Sequence, residues 1–367
     1  MRVSIFLLLF ALVLEPLRMS FANEAQAGKK VPTPADVEEA TRLQVFLDRA
    51  EFGPGKIDAH YGEFTLRALA LYREAHGSTV HQDARKEDRP KPKGRIKAKQ
   101  ETRPDVGDLN LATVNPVFIT YTVTEADLQS IGPVPEAVAA QAKLKSLPYK
   151  DAAEALSEKF HCDQKFLCDL NPGSSFKAGD ELSVPNVEPF ELSAVRDVQP
   201  GDEVPAQAAN ERPDEQAGEN KEARDHAQGH SDPITSVNID TKTNMLTISE
   251  GDKLVAAFPV TVGSKRTESP IGDWKVRGFE KMPTFRYDEA MLKKGERSSH
   301  FYMLPSGPNN PVGVMWIALN KKGIGLHGTS DPDGIGRSAS HGCVRLANWD
   351  VVRVARRVKA GVPVTIH

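Results

Sequence analysis

The sequence predicts a multidomain chain with a small all-α module near the N-terminus, an α+β module in the middle and a C-terminal, mainly-β sandwich with one helix. Its 367 residues exceed the roughly 250 residues beyond which a single core stops growing. Hydrophobic positions follow helical spacing up to residue 77 and alternate, as in strands, after residue 234. Two polar stretches separate these regions, so we expect several folding units.

The N-terminal residues predict an exported protein. Arg2 precedes an apolar run at 3–14 that is shorter than the about 20 residues needed to cross a membrane. We therefore assign residues 1–27 to a signal peptide and expect a location in the periplasm or cell wall, with no integral membrane segment after cleavage. An uncleaved anchor is the alternative, because Glu15, Pro16 and Arg18 interrupt the run before any cleavage site.

The charge pattern argues against nucleic acid as a partner. The formal charge is -3, and the 47 basic and 50 acidic residues are interspersed over most of the chain. A surface of mixed charge produces no long-range field that would attract a polyanion. We expect a monomer that binds no nucleic acid.

An odd number of cysteines in an exported chain singles out one thiol. Cys162 and Cys168 lie close together, whereas Cys343 lies far downstream, so the simplest expectation is a disulfide between the first two. A further thiol in an oxidising compartment is exposed to oxidation, a liability that a purely structural residue would not justify. We therefore expect Cys343 to carry chemistry.

Residues 33–77 predict two short helices around a turn. Apolar residues recur at helical spacing on both sides of Gly53-Pro54-Gly55, a tripeptide typical of turns. The sequence GPGKID at 53–58, with Tyr61-Gly62 and Thr65, resembles the small helical peptidoglycan-binding module of cell-wall enzymes. The alternative is a helical hairpin that only packs on the rest of the protein.

Residues 78–117 and 189–232 are predicted to be linkers. Lys, Arg, Glu and Pro dominate the first, and Ala, Glu, Gln, Asp and Gly dominate the second. Such sequences cannot bury enough apolar surface to offset the conformational entropy of ordering the chain. We expect modules joined by tethers, which would raise the local concentration of substrate at a catalytic unit.

Residues 118–188 are predicted to form a strand-helix-helix-strand module. The sequences YTV at 121–123 and AGDELSVP at 178–185 resemble those of a LysM module, and the resemblance implies binding to glycan chains that contain N-acetylglucosamine. The stretch 125–148 is longer than the connection that this family usually has. The expected elements are strands at 119–123 and 181–184 and helices at 152–160 and 164–170.

Residues 233–367 are predicted to form the mainly-β domain, a compact sandwich or barrel. Short β-rich runs are separated by turn sequences such as Lys242-Thr243-Asn244. One stretch at 349–359 predicts the helix, and an insertion at 280–304 interrupts the strand pattern. Strands are expected at 236–240, 245–250, 254–262, 274–278, 314–319, 325–327 and 362–367.

The residues that can carry chemistry lie between 326 and 348. A thiol becomes a nucleophile when a base accepts its proton, and backbone N–H groups must then stabilise the oxyanion. His327 ends a predicted strand, and Cys343 follows Ser340-His341-Gly342 after a loop that contains glycine. This loop can return the chain so that the histidine and the thiol meet.

This region resembles the catalytic domain of YkuD-type L,D-transpeptidases. His327-Gly328-Thr329 and SHGCVRL at 340–346 carry the resemblance, with VTVG at 260–263 and SPIG at 269–272. The resemblance implies a β-sandwich, peptidoglycan as the substrate, Cys343 as the nucleophile and His327 as the general base. It also implies that the backbone carbonyl of Gly328 orients the imidazole. We expect no cofactor and no metal.

The implied reaction passes through a thioester on Cys343. The thiolate attacks a tetrapeptide stem, D-alanine leaves, and an amine of another stem resolves the thioester. Backbone N–H groups of His341 and Gly342 are expected in the oxyanion hole, with a supporting hydrogen bond from Ser340. Resolution by water would instead make the enzyme an L,D-carboxypeptidase.

Several further residues are candidates for substrate binding. The donor fork of Arg345 suits a stem carboxylate, with a structural salt bridge as the alternative. Asn348 and Asp350 could instead cap the following helix, and His341 could be a second base or make an architectural hydrogen bond. The resemblance implies that the insertion forms a lid over the substrate groove, and aromatic side chains in or near it could line that groove or pack in the core. The candidates are Arg345, Thr329, Asn348, Tyr302 and Trp316.

Two other classes of function compete with this one. A zinc site could use His327, His341 and Cys343, whose residue types all bind zinc, but no acidic base lies near them in sequence. A non-catalytic wall-binding protein would need only the two N-terminal modules. The presence of both His327 and Cys343 favours the enzyme.

Overall fold

The computed structural model of the chain describes residues 33–77, 103–198, 234–263, 269–337 and 342–367. The predicted signal peptide and most of both predicted linkers lie outside these ranges. Within the described ranges, no helix combines the length and the apolar character needed to span a membrane.

Two helices form the N-terminal module, as predicted. The first, α1 (Pro34–Arg49), begins after Thr33, whose hydroxyl accepts a hydrogen bond from the Asp36 N–H while the Asp36 carboxylate accepts one from the Thr33 N–H. This capping box satisfies N–H groups that a helix start leaves without partners. The second, α2 (Glu63–His76), ends at Gly77, whose left-handed φ of 67° suits glycine.

The middle region has the predicted order of strand, two helices and strand, with two extra one-turn helices in the insertion at 125–148. The two strands pair in antiparallel register. The elements are β1 (Phe118–Thr122), α3 (Glu125–Leu128), α4 (Val138–Gln141), α5 (Ala152–Lys159), α6 (Gln164–Leu170) and β2 (Glu181–Pro185).

The described residues of the C-terminal domain contain ten strands, two α-helices and one 3₁₀ helix (Pro332–Gly334). The strands are β3 (Thr235–Asp240), β4 (Met245–Glu250), β5 (Lys253–Pro259), β6 (Gly272–Lys281), β7 (Phe285–Tyr287), β8 (Tyr302–Leu304), β9 (Met315–Leu319), β10 (Gly325–His327), β11 (Val344–Arg345) and β12 (Pro363–Ile366). The helices are α7 (Glu289–Lys294) and α8 (Asn348–Arg357). The prediction of a single helix missed α7, which is short and lies in the insertion.

Eight of these strands form one sheet, in the order β11-β10-β9-β6-β12-β3-β4-β5. Thr261, just beyond β5, pairs with Arg345 of β11, so the two edges of the sheet meet. The prediction of a mainly-β domain is confirmed. Of the two predicted forms, sandwich or barrel, the single sheet that curls until its edges meet corresponds to the barrel. The remaining strands, β7 and β8, pair as a separate hairpin.

One face of the curled sheet forms the main hydrophobic core. Leu326 of β10 lies opposite both Ile317 of β9 and Val344 of β11, and all three are fully buried. The apolar side of α8 packs into the same core. Because side chains alternate between the two faces of a strand, the neighbours of these three residues point to the opposite face, where the candidate site lies.

The modules pack on one another instead of being separated by tethers. Phe52, at the end of the first helix, shares a core with Ala257 of β5. The ends of both predicted linkers also pack: Val117 is buried in the core of the middle region and Val195 in that of the C-terminal domain. The ends of the predicted linkers therefore belong to the folded regions. Their sequences did not indicate this, because isolated apolar residues without periodicity make the contacts.

A buried ionic cluster joins all three regions. Asp48 of α1 accepts hydrogen bonds from Arg353 of α8 at 2.8 and 3.1 Å, and its Oδ2 lies 3.1 Å from Nδ1 of His161, which follows α5. Burial alone would raise the pKa of Asp48, yet Arg353 and His161 hold it well below its usual range. Buried charges of this kind are tolerated when they are paired.

The predicted disulfide between Cys162 and Cys168 is absent from the structure. Both are free thiols. Cys162 packs in the core of the middle region, whereas Cys168 is half-buried on α6. Their closeness in sequence did not predict a disulfide correctly, because the Cys162 side chain points into the core from a turn and the Cys168 side chain lies on the surface of α6.

Candidate active site

Two neighbouring strands bring His327 and Cys343 into the same part of the molecule. Strands β10 and β11 run parallel, and His327 lies opposite Arg345 in their register. Cys343 immediately precedes β11. The residues predicted as base and nucleophile therefore lie on adjacent chain segments, despite their separation in sequence.

The imidazole of His327 is held on two sides. Its Nδ1 lies 2.6 Å from the carbonyl oxygen of Gly328, so a proton on Nδ1 is donated to that oxygen and the lone pair remains on Nε2. The indole of Trp316 stacks on the ring, with centroids 5.2 Å apart and planes within 11°. This is the carbonyl contact expected from the sequence, and Trp316 fixes the plane of the ring.

The surroundings keep His327 neutral. Burial lowers the pKa of His327 to about 3, and the charge of Arg345 acts in the same direction, against the hydrogen bond to Gly328. A neutral imidazole at physiological pH can accept a proton.

The thiol of Cys343 is also neutral at rest. Burial raises the pKa of Cys343, although a backbone hydrogen bond at Gly325 and the charge of Arg345 oppose this effect. The side chain donates a hydrogen bond to the carbonyl oxygen of Gly323, with Sγ and O 3.4 Å apart. A neutral thiol and a neutral imidazole therefore lie on adjacent chain segments, and the charge of Arg345 favours the thiolate.

A row of side chains crosses four strands on this face of the sheet. Glu280 of β6 lies opposite Trp316, Trp316 opposite His327, and His327 opposite Arg345. Asp331 attracts the half-buried guanidinium of Arg345, against the effect of burial on its pKa, so the structural alternative for Arg345 has support beside the substrate role. Burial raises the pKa of Glu280 to about 7. Sequence reasoning missed Glu280 because it belongs to no motif; its position at the start of the insertion was the only signal.

Asn348 is a structural residue, contrary to its predicted contact with substrate. Its side chain is fully buried, accepts a hydrogen bond from the Val314 N–H, and donates to Glu158 of α5 and to the Pro308 carbonyl. It does not cap α8 through its side chain either, because it is the first helical residue. A Cβ on Gly328 would lie 2.2 Å from Asn348 Oδ1, so this packing also explains why Gly328 has no side chain.

Two further predicted substrate residues lie in different surroundings. Thr329 is buried, and its hydroxyl accepts a hydrogen bond from the Asp331 N–H. Tyr302 is 47% exposed in β8 and lines a cleft of about 710 Å³ with Tyr287 and Phe301. Tyr302 is therefore not a core residue, and it belongs to the separate hairpin rather than to the sheet that carries His327.

Part of the predicted oxyanion hole lies outside the described residues. This applies to Ser340 and His341. Gly342 has a φ of 109°, a conformation that favours glycine. Within the described ranges, no group of three or more His, Cys, Asp or Glu side chains is arranged to hold a metal ion.

Thr261 connects the loop before Cys343 to the strand after it. Its hydroxyl accepts a hydrogen bond from the Gly336 N–H at 2.8 Å and donates to the Gly334 carbonyl at 3.1 Å. Its backbone N–H and carbonyl each bond to Arg345 at 2.9 Å. Thr261 belongs to the VTVG motif at 260–263, but its role depends on contacts with distant residues that the motif does not indicate.

Comparison with known proteins places the C-terminal domain in one family. Residues 235–366 match the family model of the YkuD L,D-transpeptidase catalytic domain. YkuD of Bacillus subtilis is 30% identical over 144 residues, covering 38% of this chain and 71% of that protein. YkuD of Bacillus licheniformis is 31% identical over 121 residues, covering 33% and 58%. An L,D-transpeptidase structure from Mycobacterium smegmatis is 17% identical with a TM-score of 0.31, covering 37% and 59%.

Proposed function

The chain belongs to the YkuD family of L,D-transpeptidases, and we propose that it remodels peptidoglycan through a thioester on Cys343. The family gives the reaction class, a transpeptidase acting on the cell wall. The residues and steps that follow are our proposal for how this chain carries out that reaction.

The first half-reaction forms the acyl-enzyme. As Sγ of Cys343 attacks the carbonyl that precedes the terminal D-alanine of a tetrapeptide stem, Nε2 of His327 accepts the thiol proton. The C–N bond then breaks, and His327 returns the proton to the leaving amine. Free D-alanine and a thioester are the products, so atoms and protons balance.

The second half-reaction releases the enzyme. An amine of a neighbouring stem attacks the thioester carbonyl, His327 takes its proton, and the proton returns to Cys343 as the C–S bond breaks. Backbone N–H groups of His341 and Gly342 hold the oxyanion in both halves, with Ser340 supporting them. If water replaces the amine, the same residues perform L,D-carboxypeptidation.

The resting electrostatics support a base that acts only when substrate is bound. His327, with its pKa lowered to about 3, does not hold the thiol proton before attack begins. The positive charge of Arg345 favours the thiolate, and its donor fork suits the stem carboxylate. Trp316 holds the imidazole plane, while Thr329 supports the neighbouring loop and Tyr302 contacts more distant parts of the substrate.

The remaining regions fit a wall enzyme. We assign substrate anchoring to the helical module at 33–77 and glycan binding to the LysM-like module at 118–188. The chain then acts after export, in the periplasm or cell wall, as a monomer on peptidoglycan. Residues 233–367 supply the catalysis.

One observation carries the proposal: the Nδ1 of His327 is held on the Gly328 carbonyl, 2.6 Å away, on the strand next to Cys343. This geometry directs the basic nitrogen of a neutral imidazole away from the backbone, as a general base requires. It is also the contact that the family resemblance implied.

The test is incubation of the full chain with purified disaccharide-tetrapeptides, followed by mass spectrometry. We expect D-alanine release, crosslinked dimers and a trapped acyl-enzyme mass, all lost in Cys343→Ala. Cys168→Ala is the matched control, because it removes another half-buried thiol outside the site and should behave like the parent.

The same spectra decide between the alternatives. Tripeptides without dimers would identify a carboxypeptidase. Turnover by Cys343→Ala equal to that of the parent would contradict the proposed mechanism, and binding without turnover by the parent chain would favour a wall-binding protein.

A further inference from the structure

Lys56 of the N-terminal module contacts the loop that leads to Cys343. The residue lies in the turn between α1 and α2, and its Nζ forms ion pairs with Asp163 of the middle region, at 2.5 Å, and with Asp333 of the catalytic domain. One ammonium group thus joins all three regions. Burial alone would lower the pKa of Lys56, but the hydrogen bonds to the two carboxylates raise it, so the group stays charged.

The turn that carries Lys56 is itself held in place. The Ile57 N–H donates to the His161 carbonyl, and the Asp163 N–H donates to the Ile57 carbonyl, each at 2.9 Å. The middle region therefore fixes the direction in which Lys56 extends. On an unsupported turn, forming two ion pairs would also cost the backbone entropy of ordering the turn.

Phe64 makes a second contact with the same loop. A Cβ on Gly336 would lie 2.2 Å from Cζ of Phe64, and Gly336 has a φ of 72°. The ring therefore lies directly against the backbone of the loop. This close approach explains the glycine at 336 better than the turn alone, since the space and the backbone conformation both exclude a side chain.

The loop transmits these contacts toward the nucleophile. Asp333 and Gly336 lie in the segment 331–337, and Thr261 bonds both to Gly334 and Gly336 of this segment and to the backbone of Arg345. Arg345 stands two residues after Cys343 and alters its electrostatics. A continuous set of contacts thus runs from Lys56 and Phe64 to the residues around the thiol.

We propose that Lys56 and Phe64 are positioning residues for catalysis: they hold the loop 331–337 in the geometry that the acyl transfer at Cys343 requires. The helical module would then set the turnover rate, in addition to any role in anchoring the wall. This inference rests on the proposed function of Cys343 and extends it to residues of another module. Small displacements of reacting groups are known to have large kinetic effects.

The experiment compares Lys56→Met, Phe64→Ala and the milder Phe64→Leu with Lys165→Met, all in the full chain. Lys165 is the matched control, because its ammonium pairs with Asp169 on the exposed surface of α6, and its hydrogen bond to Asp163 comes from the backbone N–H, which the substitution keeps. The substrate is a free tetrapeptide without glycan, so a loss of glycan binding cannot change the rate. We expect kcat to fall about tenfold in Lys56→Met and in Phe64→Ala, with KM changed less than about twofold.

Two further measurements separate positioning from general stability. Lys56→Arg keeps the charge and should restore most of kcat, and hydrogen exchange of residues 331–337 should accelerate in Lys56→Met but not in Lys165→Met. Thermal unfolding shows that each variant is folded at the assay temperature. If kcat in Lys56→Met and Phe64→Leu equals that of Lys165→Met, the inference is overturned, whatever happens to the unfolding temperature.

The parent chain distinguishes this failure from failure of the proposed function. D-Alanine release by the parent with unchanged rates in the variants would remove the positioning role and leave the thioester mechanism intact. No release and no acylation of Cys343 by the parent would remove both.

Discussion

Two buried histidines, His327 and His161, sit in closely similar packing and differ in their partners. Each stacks on a tryptophan, His327 on Trp316 at 5.2 Å and 11°, and His161 on Trp349 at 5.3 Å and 15°. Burial lowers the pKa of both. Ring stacking and desolvation alone therefore do not identify a catalytic histidine.

The partner at Nδ1 makes the difference. His327 faces the neutral carbonyl of Gly328, whereas His161 faces the carboxylate of Asp48, which Arg353 also binds. The first arrangement holds the ring on the strand next to the segment that carries Cys343. The second belongs to an ionic cluster that attaches α1 to α8.

Replacing the two histidines in parallel should give the largest difference between them in catalytic rate. His327→Gln removes the base, and we expect kcat for D-alanine release to fall at least about a thousandfold with little change in unfolding temperature. His161→Gln should keep kcat within about threefold and lower the unfolding temperature. Steady-state kinetics and thermal unfolding of both variants provide the test. Equal loss of kcat in both would show that the distinction between their partners has no functional meaning.

Removing the carboxylate of the ionic cluster should have the largest effect on stability. Asp48→Asn removes the carboxylate that binds Arg353 and leaves the buried guanidinium beside Asp350, which lies 3.7 Å away and is protonated at pH 7. We expect a loss of about 3–5 kcal/mol in the free energy of unfolding at pH 7. Because the folded pKa of Asp48 is lowered, its contribution is present above the unfolded pKa and is lost as the pH falls through the folded value. Urea unfolding at pH 7 measures the loss.

The double variant Asp48→Asn/Arg353→Met is the control for that interpretation. It removes both charges and should recover part of the stability, because an unpaired buried charge is worse than none. A double variant less stable than either single variant would show that the ion pair does not account for the loss.

The parts of the site that could be predicted from sequence are those that depend on the order of neighbouring residues. His327 and Cys343 were found because a strand end and a glycine-containing loop are visible in the order of residue types. The hydrogen bond from His327 to Gly328 lies where expected because it joins neighbouring residues; its catalytic role stays a prediction.

The contacts that sequence reasoning missed join distant parts of the chain. Asp48 and Arg353 are 305 positions apart, and Lys56 and Asp333 are 277 apart. The spacing of residue types along the chain does not indicate which charged residues will form pairs after the modules pack. For Asn348 the error was to predict a contact with substrate because the residue is polar and lies beside a catalytic motif. Its amide instead hydrogen-bonds buried polar groups of two modules.

The pH dependence of kcat/KM sharpens the assignment of His327. Its pKa is lowered to about 3, so the neutral, basic form persists above that value and is lost only as the pH falls through it. We expect kcat/KM to be nearly constant from about pH 5 to 8. An acid limb centred near 6.5, the ordinary value for histidine, would contradict the proposed surroundings of the ring. Circular dichroism at each pH confirms that the chain remains folded.

The smallest expected change in stability concerns Asp350. Its carboxyl lies next to the ionic cluster but is not fully hydrogen-bonded by it. Its Oδ1 is buried with no hydrogen-bond partner within the described ranges, and Arg353 Nη1 is 3.7 Å away. Burial raises the pKa of Asp350 to about 8 from 3.8. The folded chain therefore keeps a proton that the unfolded chain releases above about pH 4, and stability falls as the pH rises from there to about 8.

Asparagine imitates the protonated carboxyl, so Asp350→Asn should remove this dependence. We expect the free energy of unfolding to rise by about 1–3 kcal/mol at pH 8 and to stay unchanged at pH 4. Asp252→Asn, an exposed position in a turn, controls for the change in net charge and should show neither effect. Urea unfolding at the two pH values measures the difference. A gain at pH 4 as large as that at pH 8 would mean that packing, not protonation, sets the stability at this position.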